Sequence, residues 1–271
     1  MLNLHCKTVK NPNIETMYNA SSSGGWWRSI PPVTKNLIII NLIVWLAEIL
    51  VPGFSHTLVD RLGLHLFGSP LFNPAQIFTY MFMHDPHSPA HIFFNMFSLW
   101  MFGRILEQVW GAKRFLVFYL VCGVGAALVQ EAVWELSWKS DYISGIARLN
   151  GLTTGHMTAI VDAAVKSGDA RWIEAIAEFK SQMVTIGASG AIFGILLGFA
   201  FTFPDMPLYL FFIPVPIKAK YMVVGYGVIE FFLGVSGSMD TVAHFAHLGG
   251  MLFGIVMLLY WKKKGTLHRY N

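Results

Sequence analysis

The run Met183–Phe203 contains 21 residues without a single charged side chain, between Lys180 and Asp205. About 20 consecutive apolar residues are enough to carry a helix across the hydrocarbon core of a bilayer. The composition of the whole chain agrees with a membrane setting. Of its 271 residues 55% are hydrophobic and 13% charged, and the mean hydropathy is +0.53. Soluble domains carry roughly twice that share of charge. The formal charge of +4 is spread over the flanks of apolar runs, so it reads as a topology signal and not as a nucleic-acid surface. The two cysteines, Cys6 and Cys122, lie in a tail and in an apolar run and suggest neither a disulfide framework nor a metal cluster. The start of the chain has no pattern of a removable signal peptide, so the first span is expected to direct insertion.

The hydropathy pattern predicts an all-α membrane protein with six crossings, over about 36–51, 89–106, 113–133, 183–203, 219–235 and 240–261. Pro31-Pro32 is expected to close the N-terminal tail, with Thr34 capping the first helix. Residues 1–35 form a tail with a Trp26-Trp27-Arg28 interfacial anchor, 36–262 the membrane domain, and 263–271 a second tail. Residues 54–88 are too apolar for a solvated loop and too broken by Gly and Pro for a span, so they are expected to lie in the interface. The polar stretch 134–181 reads as an insertion whose later half makes amphipathic helices broken at Ser167-Gly168-Asp169. Lys and Arg number 4 in the N-terminal tail, 3 in 104–114, 2 in 205–220 and 4 at the C-terminus, against Arg61 alone in 54–88. The excess marks the cytoplasmic face and predicts both termini there.

This orientation turns positions into depths. Ser189 falls six to eight residues into its helix, or roughly 10 Å at 1.5 Å per residue. His247, Asn95 and, slightly shallower, His91 fall in the same layer on two other helices. Singly, each has a plain reading: a serine returning its proton to a carbonyl one turn back, an asparagine as interhelical glue, histidines reaching interfacial water. Together at one depth, polar groups that are costly in lipid point to a shared cavity. Glycines 190, 194 and 198 on one helix face 250 and 254 on another, a small-residue pattern that lets two backbones approach. At that proximity His247 can take the Ser189 proton, making a nucleophile for an acyl carbon. His91, Asn95 and the Ser189 backbone N–H can offer donors to an oxyanion. No Asp or Glu stands out as a partner for His247, so a dyad is expected, with Phe193 packing against the imidazole. Glu230 is expected to reach the interface or a water cavity.

Three segments carry a resemblance to the rhomboid intramembrane serine proteases: Gly187-Ala188-Ser189-Gly190-Ala191-Ile192-Phe193-Gly194, His91-Ile92-Phe93-Phe94-Asn95, and Ala246-His247-Leu248-Gly249-Gly250-Met251-Leu252-Phe253-Gly254. Glu107 and the Trp110–Phe115 turn are similar to the end of the family's second helix. The resemblance implies a six-helix core that cuts membrane proteins in or beside their transmembrane segments. It makes Ser189 the nucleophile and His247 the base, with His91 and Asn95 as oxyanion donors and Gly187, Gly190, Phe193 and Gly250 in support. It implies no cofactor and no metal. Partners are transmembrane substrates and the lipid bilayer, with no nucleic acid, and the expected location is a bacterial inner membrane. The insertion at 134–181 departs from the family pattern and is expected to cap or gate the site. Zinc on His84, His87 and His91, or on His244 with His247, lacks the His-Glu-x-x-His helix of intramembrane metalloproteases. A proton-coupled transporter would want a carboxylate near midplane.

Overall fold

The structure is a computed structural model that describes residues 29–51, 53–210, 213–236 and 243–267. The expected Trp26-Trp27-Arg28 anchor and the start of the last helix at Asp240 lie outside these residues. Helix α1 spans Pro32–Leu50, four residues earlier than hydropathy suggested. Proline at a helix start sacrifices no hydrogen bond, which is why Pro32 opens the helix and does not close the tail. Thr34 is not the cap. The cap comes from elsewhere in the chain: the Glu107 carboxylate accepts from the N–H of Val33 (2.9 Å), the N–H of Thr34 (2.7 Å) and the Thr34 hydroxyl (2.7 Å). An anion here satisfies orphan donors and faces the positive end of the helix dipole.

The stretch expected to lie in the interface is folded against the rest of the protein. It contains α2 (Phe54–Leu62), β1 (Leu64–His65), α3 (Gln76–Thr79) and a 3-10 turn (Tyr80–Phe82). Leu64, Leu66, Met81 and Met83 are fully buried. Gln76 holds the loop together: its carbonyl accepts from His65 and Asn73, and its amide donates to Leu71 and Asp60. The Phe67 N–H donates to the Glu131 carboxylate at 2.8 Å, tying the loop to the helix behind it.

Helix α4 (Pro89–Ser98), a π-helical turn (Leu99–Gly103) and α5 (Arg104–Trp110) form one continuous segment. It stops at Gly111, whose φ of 83° suits glycine. Helix α6 (Ala112–Leu149) is 38 residues long and does not end near Val133 as expected. At 1.5 Å per residue it is about 57 Å long, well beyond a bilayer core of about 30 Å. The first third of the insertion is therefore a projecting extension of a spanning helix. Helices α7 (Thr154–Ser167) and α8 (Ala170–Gln182) follow, broken at Gly168 (φ 74°) as the sequence indicates. Asp169 caps α8 by accepting from the Arg171 N–H. Tyr142, Ile143 and Ala147 of α6 with Met157 and Val161 of α7 make a second, small core.

Strand β2 (Val184–Thr185) pairs antiparallel with β1, Leu64 opposite Thr185 and His65 opposite Val184. Only then does α9 begin, running Ser189–Thr202. A β-hairpin of β3 (Pro207–Leu210) and β4 (Ile213–Lys218) leads to α10 (Ala219–Ser236) and α11 (His244–Lys263). Among the described residues, α1, α6, α10 and α11 are long and apolar enough to cross a bilayer, and α9 is a shorter apolar helix. The protein is an integral membrane protein built as a helical bundle. The wide exposure of Val224, Val228, Phe231, Phe232 and Val235 on α10 suits a lipid-facing helix.

Helices α6, α9 and α11 pack against one another. A Cβ added at Gly190 would overlap the Ala126 Cβ, one at Gly194 the Cys122 sulfur, and one at Gly250 the Gly190 carbonyl oxygen. The small-residue faces thus let α9 and α11 approach to backbone contact.

Candidate active site

Ser189 is the first residue of α9, not one lying two turns inside it. Residues 183–188 were expected to be helical, but they run through β2 and then Gly187, whose φ of 128° ends the extended stretch. The Gly187 N–H donates to the Tyr80 carbonyl (3.0 Å), fixing that corner against the loop. At the first helical position, Ser189 belongs to the turn whose N–H groups have no acceptor within the helix. The positive end of the α9 dipole is directed at the same spot.

His247 is the fourth residue of α11. Its Nε2 lies 2.7 Å from the Ser189 Oγ, within hydrogen-bond reach. Phe193, one turn along α9 from Ser189, stacks on the His247 ring with centroids 4.3 Å apart and planes 5° from parallel. His91 comes close to Gly187, two residues before the serine. A Cβ added at Gly187 would come within 2.8 Å of the His91 Nε2 and 3.8 Å of the Ser189 Oγ, so glycine is what leaves room for the His91 ring at this corner. The backbone N–H of Asp85 approaches His91 Nδ1 at 3.5 Å. Asn95 is buried one turn further along α4. Gly190 and Gly250 form the contact that brings Ser189 and His247 together.

Sequence reasoning missed Glu230 and His244. The expectation that no carboxylate partners His247 does not hold in this geometry. Glu230 Oε2 accepts from His247 Nδ1 at 2.9 Å and from His244 Nδ1 at 2.7 Å. Its side chain is 14% exposed, so it does not reach open water at the interface. His244 is buried too. The signal was present in the sequence: His244 and His247 are three apart on one helix face, and Glu230 sits in the C-terminal half of the preceding helix. These three residues also form a set of potential metal ligands, their donor atoms within 4.8 Å of one another. The alternative histidine group is looser, with the His84 and His91 ring centroids 5.0 Å apart and the planes tilted by 57°.

A family model described as "Rhomboid domain" matches residues 72–264. The chain belongs to the rhomboid family. Curated relatives of this rhomboid include Rhomboid protein 1, mitochondrial, of Saccharomyces cerevisiae, 27% identical over 228 residues that cover 74% of this chain and 63% of the relative. Rhomboid-like protein 15 of Arabidopsis thaliana is 24% identical over 71% of this chain and 51% of its own length. Presenilin-associated rhomboid-like protein, mitochondrial, of Mus musculus is 24% identical over 89% of this chain and 54% of its own length. The chain thus spans between about half and five-eighths of the relatives it matches.

Proposed function

We propose that this rhomboid is an intramembrane serine endopeptidase that hydrolyses peptide bonds in or next to transmembrane segments of other proteins. The observation that carries the reading is the 2.7 Å contact between Ser189 Oγ and His247 Nε2. His247 Nε2 takes the hydroxyl proton as Ser189 Oγ attacks the scissile carbonyl carbon, and the carbonyl π electrons move onto oxygen. The resulting oxyanion is held by the α9 N-terminal N–H groups, with His91 and Asn95 as further donors. His247 then passes its proton to the leaving amine, the carbonyl reforms and the C–N bond breaks. A water molecule, deprotonated by the same nitrogen, releases the acyl group from Ser189. The substrate must enter from the bilayer and the water from a polar cavity on the outer face.

The topology that goes with this reading has six crossings, with the α4–α5 segment and α9 added to the four longer helices, and both termini cytoplasmic. The basic residues of the 104–114 and 205–220 turns support it. The projecting end of α6, with α7 and α8, then lies outside, beside the entrance to the site. The compartment proposed is a bacterial plasma membrane. Recovery of the protein in the organelle that names two of its relatives would replace that assignment.

The test is cleavage of a panel of single-span reporter proteins by wild type and Ser189→Ala in the same liposomes. Wild type is expected to cut some reporters and the variant none, while both unfold at the same temperature. Labelling by a serine-reactive fluorophosphonate should depend on Ser189. A wild type that neither cuts nor labels would make this rhomboid a non-catalytic binder of membrane proteins.

A further inference from the structure

The carboxylate of Glu230 and the ring of His244 complete a hydrogen-bonded line that begins at the nucleophile. Along it run Ser189 Oγ, His247 Nε2, His247 Nδ1, Glu230 Oε2 and His244 Nδ1, at 2.7, 2.9 and 2.7 Å. The contacts dictate where the protons sit. A carboxylate has only lone pairs to offer, so both Nδ1 atoms facing Glu230 Oε2 carry hydrogen and donate. With its hydrogen on Nδ1, His247 presents a bare lone pair on Nε2 to the serine hydroxyl, which is the tautomer a general base needs. We propose that Glu230 is a positioning residue for His247, making the site a Ser-His-Glu triad, and that His244 is a second donor that locks the carboxylate in place. This rests on the proteolytic reading above.

The chemistry balances without any further reactant. When Nε2 gains the serine proton the ring becomes cationic beside an anionic carboxylate, and that proton later leaves with the amine. Glu230 keeps its charge throughout and stabilises the imidazolium where little water competes. Among the described residues, Glu230 is the acidic side chain hydrogen-bonded to His247, while Asp85 lies near His91. Facing His247 are Ser189 and Phe193 from α9 and His91 from α4, while His244 shares its helix. Behind α11, helix α6 presents Gly125, Ala126 and Val129 at Gly249. Glu230 is thus the carboxylate in contact with the base.

The same three side chains are a conceivable cation site, but the spacings favour direct hydrogen bonds. Ligands about 2.0–2.1 Å from a tetrahedral zinc ion lie about 3.3 Å from one another. The nitrogen–oxygen separations at Glu230 are shorter than that, at 2.7 and 2.9 Å.

The experiment compares wild type, Glu230→Gln, Glu230→Asp and His244→Asn in liposomes, reading kcat, KM, pH profile and fluorophosphonate labelling. Glu230→Gln keeps the shape and an acceptor oxygen but removes the charge. It is expected to lower kcat at least about a hundredfold with KM little changed, and to move the acid limb of kcat/KM to lower pH. Glu230→Asp, which keeps the charge, should recover part of kcat. His244→Asn should cost about tenfold or less and move the acid limb the opposite way, because a carboxylate with one donor fewer holds the imidazolium more strongly. A purely structural Glu230 would lower thermal stability without moving the limb. Wild-type activity with an unchanged pH profile in Glu230→Gln would overturn the triad while leaving the protease reading intact. So would loss of wild-type activity in a strong chelator that zinc restores, since the cluster would then hold a cation.

Discussion

Phe193 and His247 stand face to face, their rings 5° from parallel with centroids 4.3 Å apart. The arrangement does two things for a proton acceptor on a helix start. It restricts ring rotation to the plane that points Nε2 at Ser189, and it places a π face against the cation that forms when the proton arrives. The second effect is worth about 1 kcal/mol, or roughly fivefold in rate. Phe193→Ala is therefore expected to lower kcat by about tenfold once ring freedom is included, and Phe193→Tyr to keep it near wild type. Single-turnover cleavage at saturating reporter measures both.

Gly250 touches the backbone of Gly190, so the distance between Ser189 and His247 is set by the absence of a side chain. The Cβ of Gly250→Ala would land on the Gly190 carbonyl oxygen, a backbone atom that cannot swing aside. Overpacking of this kind costs about 1–3 kcal/mol and more when the neighbours are rigid. The variant is expected to unfold at lower temperature and to lose labelling at Ser189 even while still folded, because α9 and α11 must part. Unfolding midpoints and probe labelling at a temperature below the transition separate the two effects. Gly254→Ala is the control: its Cβ meets nothing closer than 3.4 Å, so it should change neither much.

The acid side of stability should carry the mark of buried histidines in the loop before α4. His84 is fully buried, and burial, reinforced by His91 and only partly offset by the Phe82 backbone, holds its pKa down at about 3. His65 is lowered too, again chiefly by burial. The unfolded chain takes up protons at these rings near the ordinary value of 6.5, while the folded chain does not. Stability therefore falls as pH drops from about 6.5 towards 3. His84→Phe is expected to flatten that fall without altering stability at pH 8 in the same sense. Thermal unfolding followed by circular dichroism from pH 4 to 8 gives the comparison. An identical pH dependence in both proteins would show that His84 is reached by water.

The clustering of the site's side chains was legible in the sequence because the motifs that carry them are local. The serine motif, the His91–Asn95 turn and the His247 segment each sit within one helix, and Ser189, His91 and His247 meet in the structure. Helix rotation was not readable. Glu230 lies on α10 at about the depth of the site, yet hydropathy does not tell which way a lipid-exposed helix turns its one carboxylate. Helix ends were misread where polarity and backbone conformation part company. From Trp134 to Leu149 the side chains turn polar but include no Pro, so α6 runs on until Asn150-Gly151. From Met183 to Ala188 they stay apolar, but β1 offers a strand partner and delays α9 to Ser189. The Glu107 cap on α1 joins residues 73 apart and has no local signature.

The projecting end of α6 with α7 and α8 has its own small core and is joined along the chain to Ser189 by strand β2. Its other contacts with the loop near β1 are light. The Ser69 and Ser181 hydroxyls are 3.4 Å apart, and Lys180 passes over Trp138 and beneath Gly68. Glu131, which holds Phe67, lies on α6 before the insertion. Replacing residues 139–179 by a short Gly-Ser linker should therefore spare the loop and the β1–β2 pair. The shortened protein is expected to label at Ser189 like wild type, because nucleophile, base and oxyanion donors all lie elsewhere. On the proposed topology its choice among reporters should change, since this body would then screen what approaches the site from outside the membrane. The measurement is the ratio of kcat/KM for two reporters that differ only in their extracytoplasmic flank. A ratio unchanged by the deletion, with full labelling, would mean that α7 and α8 play no part in substrate admission.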